Sequence, residues 1–161
     1  MSDDAPNMLD ALSEGDGAIE FFREIVEPTV AEFLNRSDDR RLGCLACLCL
    51  ASMSDHYFCA RPRLRDECAD ANVFRRKIGQ SHWAVRQVIG IANATKHVQR
   101  LPGRVGYQDI SRQSITCSNL SAGWPISGNQ VMIEVEGGDL WLLADLVEAA
   151  LEFWRDRLAE A

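Results

Sequence analysis

The residues with most to offer chemically are His82, Arg86, Asn93, Lys96 and His97, gathered in one short and otherwise apolar stretch. At about 100° per residue they share roughly 100° of arc on a single helix. Gly90 lies beside them and Ile89 is the apolar residue in their midst. The remaining circumference carries Trp83, Ala84, Val85, Val88, Ile91, Ala92, Ala94 and Val98, with Gln87 and Thr95 as its polar exceptions. A solvated helix face normally mixes acids, bases and amides. This stripe has no acid: it holds two imidazoles, a guanidinium, an ammonium and an amide, all donors or potential donors. Such a set suits an anion, a phosphate backbone or a carboxylate from a neighbouring helix. Gly90 would let another backbone or a ligand come close. Asp55, with His56 and Tyr57 next to it, is the internal partner to expect. Three readings stay open. The stripe is a buried network through Asp55, a binding face for RNA or an acidic protein, or a catalytic set in which His97 moves a proton with Asn93 and Arg86 in support.

The charge distribution sharpens the choice. The chain carries a net charge of −7, yet residues 61–104 contain ten Lys or Arg against three acids. Acidic residues dominate on both sides, twelve to four over residues 1–60 and nine to three over residues 105–161. A basic middle between acidic flanks is either neutralised internally as the flanks fold onto it, or presented as a cationic face.

These residues need a scaffold, and hydrophobic periodicity outlines one. Residues 1–16 are polar and read as a flexible tail. Ile19, Phe22, Ile25 or Val26, Val30 and Phe33 recur at helical spacing and predict a helix from about Gly17 to Asn35, which Pro28 kinks or divides. Ser37 or Asp38 is placed to cap a second helix, about Arg40 to Cys59, apolar on nearly every side from Leu42 to Met53 and therefore central. Pro62 closes it. A third helix lies within Arg63–Gln80 and ends near Gly79; Ser81 caps the next, which carries the stripe to about Gln99. Residues 105–138 are rich in Gly, Ser, Thr and Asn. Their alternation at Ser114–Cys117 and Val131–Glu136 predicts a half-buried hairpin or three-stranded patch, with Glu134 and Glu136 turned to solvent. Gly137-Gly138-Asp139 turns into a closing helix over residues 139–159, with Leu140, Leu143, Val147, Leu151, Trp154 and Leu158 as its seam. The expected architecture is mainly α: a bundle of about five helices, one domain over residues 17–161, with a small antiparallel β element before the last helix.

Other chemistry has less support. Cys44-Leu45-Ala46-Cys47 is one CxxC with no second pair at zinc-site spacing, and its leucines suit helix packing. The six cysteines read as small hydrophobes in a reducing compartment, and no metal or cofactor is expected. Gly103-Arg104-Val105-Gly106 has a GxxG spacing but reads as a turn. No Walker loop, dinucleotide fingerprint, nucleophile elbow or HExxH pattern occurs. The start, Met1-Ser2-Asp3-Asp4, is acidic where a secretory segment would be basic. The run from Leu42 to Met53 is too short for a bilayer, so a cytoplasmic protein without a membrane partner is expected.

The segment Ala92-Asn93-Ala94-Thr95-Lys96-His97, with Arg86 before it and a closing helix bearing Trp154, resembles a group of uncharacterised bacterial proteins with an Ala-Asn-Ala-x-Lys-His helix. More distantly it looks like the signature helix of HEPN domains, helical bundles that are often dimeric and include many metal-independent ribonucleases. Their motif is an Arg, often followed by a polar residue such as Asn, with a His four to six residues after the Arg. Asn93 and His97 match, whereas Ala92 stands where the Arg belongs. Arg86 lies about three turns from His97, roughly 16 Å at 1.5 Å per residue, and cannot replace that Arg within one chain. Only an antiparallel homodimer would bring it beside the partner's His97. The resemblance implies a HEPN-like, dimeric, non-enzymatic scaffold for RNA or protein ahead of an active nuclease, because the missing guanidinium would have stabilised the transition state.

Overall fold

The computed structural model describes residues 16–96, 110–114, 129–134 and 139–160. Helix α1 (Gly17–Phe21) runs through a wide π turn (Phe22–Val26) into α2 (Glu27–Asn35). There follow α3 (Arg40–Ala60), α4 (Pro62–Glu67), α5 (Ala71–Ser81) and α6 (Trp83–Lys96). Strands β1 (Ile110–Ser114), β2 (Asn129–Glu134) and β3 (Leu140–Leu142) form an antiparallel sheet in that order, and α7 (Leu143–Ala159) closes the chain. The fold is mainly helical with a small sheet before the last helix, as the periodicity predicts. The mixed basic segment holds two helices instead of one: α4 ends at Glu67, and Asp70 starts α5 by accepting from the Val73 N–H at 2.9 Å.

Local chemistry accounts for the boundaries. Pro28 has no N–H for the Glu24 carbonyl, and its ring crowds that carbonyl. The chain widens just ahead of it, with Glu27 N–H reaching back to the Phe22 carbonyl as a π turn requires. Asp16, assigned by composition to the tail, caps α1 through the Ala18 and Ile19 N–H groups at 2.9 and 3.4 Å. Arg61 holds the same carboxylate. Residues 1–15 lie outside the described residues. The cap of α3 is Asp39, one residue beyond the expected pair; it accepts from Arg41 and Leu42 N–H at 2.9 and 3.2 Å. The Leu42 bond leads in holding the Asp39 carboxyl below its usual range; desolvation opposes it, and the Arg41 bond and the Arg36 and Arg41 charges add to the lowering.

Helix α3 is the hub, packing against α1, α2, α4, α5, α6 and α7. At 21 residues it is long and apolar enough to cross a membrane, longer than the Leu42–Met53 run inside it suggests. Leu42, Ala46, Cys47, Leu50 and Met53 are nonetheless all buried in the protein core. Trp154 of α7 reaches into this core and donates its indole N–H to the Leu50 carbonyl at 3.1 Å. Cys44 and Cys47 are also buried. Burial pushes both thiols up, Cys47 furthest, while a hydrogen bond with Thr95 opposes the shift at Cys44.

The sheet departs from expectation in two places. Val131, Met132 and Ile133 are all buried, so β2 is covered on both faces through its centre and is more than half-buried. The Val131 N–H also donates to the Ser37 carbonyl at 3.1 Å, fastening β2 to the turn between α2 and α3. Leu140–Leu142 is strand, paired Glu134↔Leu140, Ile133↔Trp141 and Met132↔Leu142. The closing helix therefore starts at Leu143, and Leu140 leaves its seam to stand 41% exposed. Backbone pairing with β2 outweighs the helical spacing of three residues that lie beyond the helix's first buried turn. Of the expected strand Ser114–Cys117 only Ser114 is described, at the end of β1; Val135, Glu136 and the Gly137-Gly138 turn lie outside the described residues.

Candidate functional site

The stripe begins at a joint between two helices. Ser81 is the last residue of α5, its hydroxyl donating to the Lys77 carbonyl at 2.9 Å, so it does not cap α6. His82 takes that place with an extended backbone (φ −130°, ψ 101°). Its N–H bonds the Ile78 carbonyl at 2.9 Å, and its carbonyl accepts the Arg86 N–H at 3.0 Å. One residue thus ends α5 and starts α6. The His82 ring lies 4.3 Å, centroid to centroid, from Phe153 of α7. Gly79 is buried inside α5 and does not mark its end: a Cβ there would meet Arg86 Cβ at 3.5 Å. That is ordinary van der Waals contact, so α5 lies against the root of the Arg86 side chain.

Along α6, Val85, Val88, Ile91, Ala92 and Ala94 are buried, on the arc expected to face the core. The polar stripe is not uniform. His82, Arg86 and Lys96 are exposed, whereas Ile89, Gly90 and Asn93 are half-buried. The exposed cations Arg86 and Lys96 are about 15 Å apart along the axis, ten residues at 1.5 Å each. His97 and Val98 lie outside the described residues.

Asp55 does not join this stripe. Its carboxylate takes the Arg75 guanidinium at 2.5 Å, and Arg75 Nε also donates to Ser54 Oγ at 3.0 Å. The two helices that meet through Asp55 are α3 and α5, so Arg75, one of the basic segment's own residues, occupies the place expected for Arg86 or Asn93. Tyr57, next to Asp55, is buried with the guanidinium carbons of Arg61 and Arg157 lying 5.0 and 5.7 Å from its ring centroid. His56 is exposed and stacks flat on Phe21 at 3.8 Å.

The basic middle is therefore divided. Arg61, Arg75 and Lys77 meet Asp16, Asp55 and Glu67, two of those acids coming from the acidic first part of the chain. Arg86 and Lys96 have no carboxylate partner among the described residues, and neither have the exposed Arg63, Arg65 and Arg76. Nor do three His, Cys, Asp or Glu side chains converge on a metal-sized site among the described residues. A groove of about 620 Å³ runs between the start of α1 and the last turn of α3, lined by Asp16, Asp55, His56 and Cys59 among others. Both of its carboxylates are held by arginines.

Sequence reasoning missed one feature beside the stripe. Trp83, placed on the buried arc, is 37% exposed, and Trp141, placed in the closing helix, is 42% exposed on β3. Their rings pair at 4.6 Å with a 54° tilt. The available signal was the Leu-Trp-Leu triplet directly after a Gly-Gly-Asp turn, which reads as a strand as readily as a helix start.

No protein-family model, curated protein or solved structure matches this chain. The HEPN likeness accordingly rests on Asn93 and His97, with Ala92 at the Arg position fully buried.

Proposed function

We propose that this chain is a HEPN-like RNA-binding module that holds phosphate on the exposed donors of α6 and does not cleave its ligand. The observation that carries this reading is that the exposed donors of α6 have no acid on their own helix to meet. Arg61, Arg75 and Lys77 are consumed by internal carboxylates, while Arg86 and Lys96 stand in solvent on an acid-free helix. A guanidinium and an ammonium so placed attract phosphate at no cost in broken ion pairs. The buried position of Ala92 supports a binding role: a guanidinium at that residue would point into the core instead of toward a scissile phosphate.

The test is binding of a single-stranded oligoribonucleotide across a salt series. Each phosphate contact on single-stranded nucleic acid contributes about 0.7 to the slope of log K against log salt. Arg86→Ala with Lys96→Ala should therefore weaken binding and flatten the slope by about 1.4. Absence of binding at low salt, or an unchanged slope in the double variant, would overturn the proposal; retention of an acidic protein in place of RNA would do so too. Metal-independent cleavage that disappears in His97→Ala would replace it with a ribonuclease.

A further inference from the structure

We infer that the Trp83–Trp141 pair is a stacking platform for an unpaired RNA base, with Arg86 taking the adjoining phosphate; this rests on the RNA-binding reading above. Two indoles left more than a third exposed are unusual, because each would bury a large apolar area if turned inward. They come from separate elements, the first residue of α6 and the middle of β3, and their rings meet at 4.6 Å. Trp141 is paired with Ile133 on β2, so their side chains stand on one face of the sheet, Ile133 fully buried and Trp141 at its exposed margin.

The cation is adjacent. Trp83 and Arg86 are three residues apart on α6, which makes them neighbours on the helix surface, with Cβ atoms about 5–6 Å apart. Arg86 is rooted against Gly79, and His82, also exposed, sits one residue before Trp83. An aromatic face beside a guanidinium is the pairing that single-stranded nucleic acid uses: the base stacks and the backbone is neutralised. Charge also selects the occupant. A second copy docked by a two-fold axis through the indole pair would bring Arg86 close to its own symmetry mate, whereas an RNA strand brings the opposite charge.

The experiment measures affinity of the full chain for two probes: an oligouridylate and the same oligomer with abasic positions. Trp83→Ala and Trp141→Ala, checked for retained helicity, should each lower oligouridylate affinity about tenfold while leaving the salt slope unchanged. The Phe variants keep a ring and should recover most of the loss, which separates stacking from damage to β3. The wild-type chain should prefer the oligouridylate to its abasic form. If folded Ala variants bind oligouridylate as the wild type does, or if abasic RNA binds equally, the platform is refuted while the phosphate-binding reading stands. If the wild type shows no salt-dependent RNA binding, both fall. A halving of particle mass in the Ala variants with RNA affinity unchanged would assign the indoles to a contact between copies and overturn the inference.

Discussion

Gly43→Ala puts the packing of the hub helix to a quantitative test. Gly43 lies near the start of α3, buried where α2 and α7 cross it. A Cβ at this position would fall 2.6 Å from Leu143 Cδ2 and 3.0 Å from Phe33 Cε2. Carbon atoms at optimal contact are about 3.5–4.0 Å apart, so Leu143 must retreat by about 1 Å and Phe33 by about half that. Both side chains are fully buried, which leaves little room to move. Two effects oppose one another. Replacing Gly by Ala inside a helix favours the folded state by about 0.5–1 kcal/mol, and forcing one extra carbon into a packed core costs about 1–3 kcal/mol. The clash should win, with a net loss of about 1–2 kcal/mol and a Tm lower by about 2–8 °C. Urea denaturation followed by circular dichroism measures the difference directly. The control is a double-mutant cycle with Leu143→Ala, which by itself should cost about 2–5 kcal/mol. In that background the nearest obstructing methyl is gone, and Gly43→Ala should become close to neutral. A Gly43→Ala protein as stable as its parent, or an identical penalty in both backgrounds, would refute the packing argument.

Two further perturbations probe α7. Trp154→Phe removes the indole donor to the Leu50 carbonyl and part of a fully buried ring, and should cost about 2 kcal/mol by denaturant titration. Asp145 is half-buried in the first turn of α7, and desolvation, with the charge of Glu148 adding to it, raises its carboxyl pKa above the ordinary 3.8. A carboxyl raised in the folded state contributes stability that is present below its unfolded pKa and lost as pH rises through the folded one. Asp145→Asn should therefore match the parent in acid and exceed it at neutral pH; parallel stability–pH curves would contradict the desolvation.

Much of the site's supporting structure was legible along the chain. The arc of Val85, Val88, Ile91, Ala92 and Ala94 follows from periodicity, because a helix projects side chains at fixed angles whatever surrounds it. The centrality of α3 follows for the same reason: a helix apolar on almost every side has to be enclosed. Caps were visible as a residue type and blurred as a position, since neighbouring Ser37, Asp38 and Asp39 offer similar acceptors and only the backbone's path selects Asp39.

Tertiary structure decided the rest. Asp55 was the internal partner expected for Arg86, yet the packing of α5 on α3 delivers Arg75 to it; pairing between distant charges depends on distances that periodicity does not encode. Trp83 shares the apolar side of the α6 wheel and still faces solvent, because β3 supplies Trp141 beside it and leaves both rings at the surface. Leu140 continues a helical seam in spacing but serves as strand, since β2 offers its backbone partners. Residue order is enough to set a donor-rich, acid-free stripe on α6, because that depends only on helical geometry. Which of its donors stay free to meet a ligand depends on which charges and rings the fold brings against them.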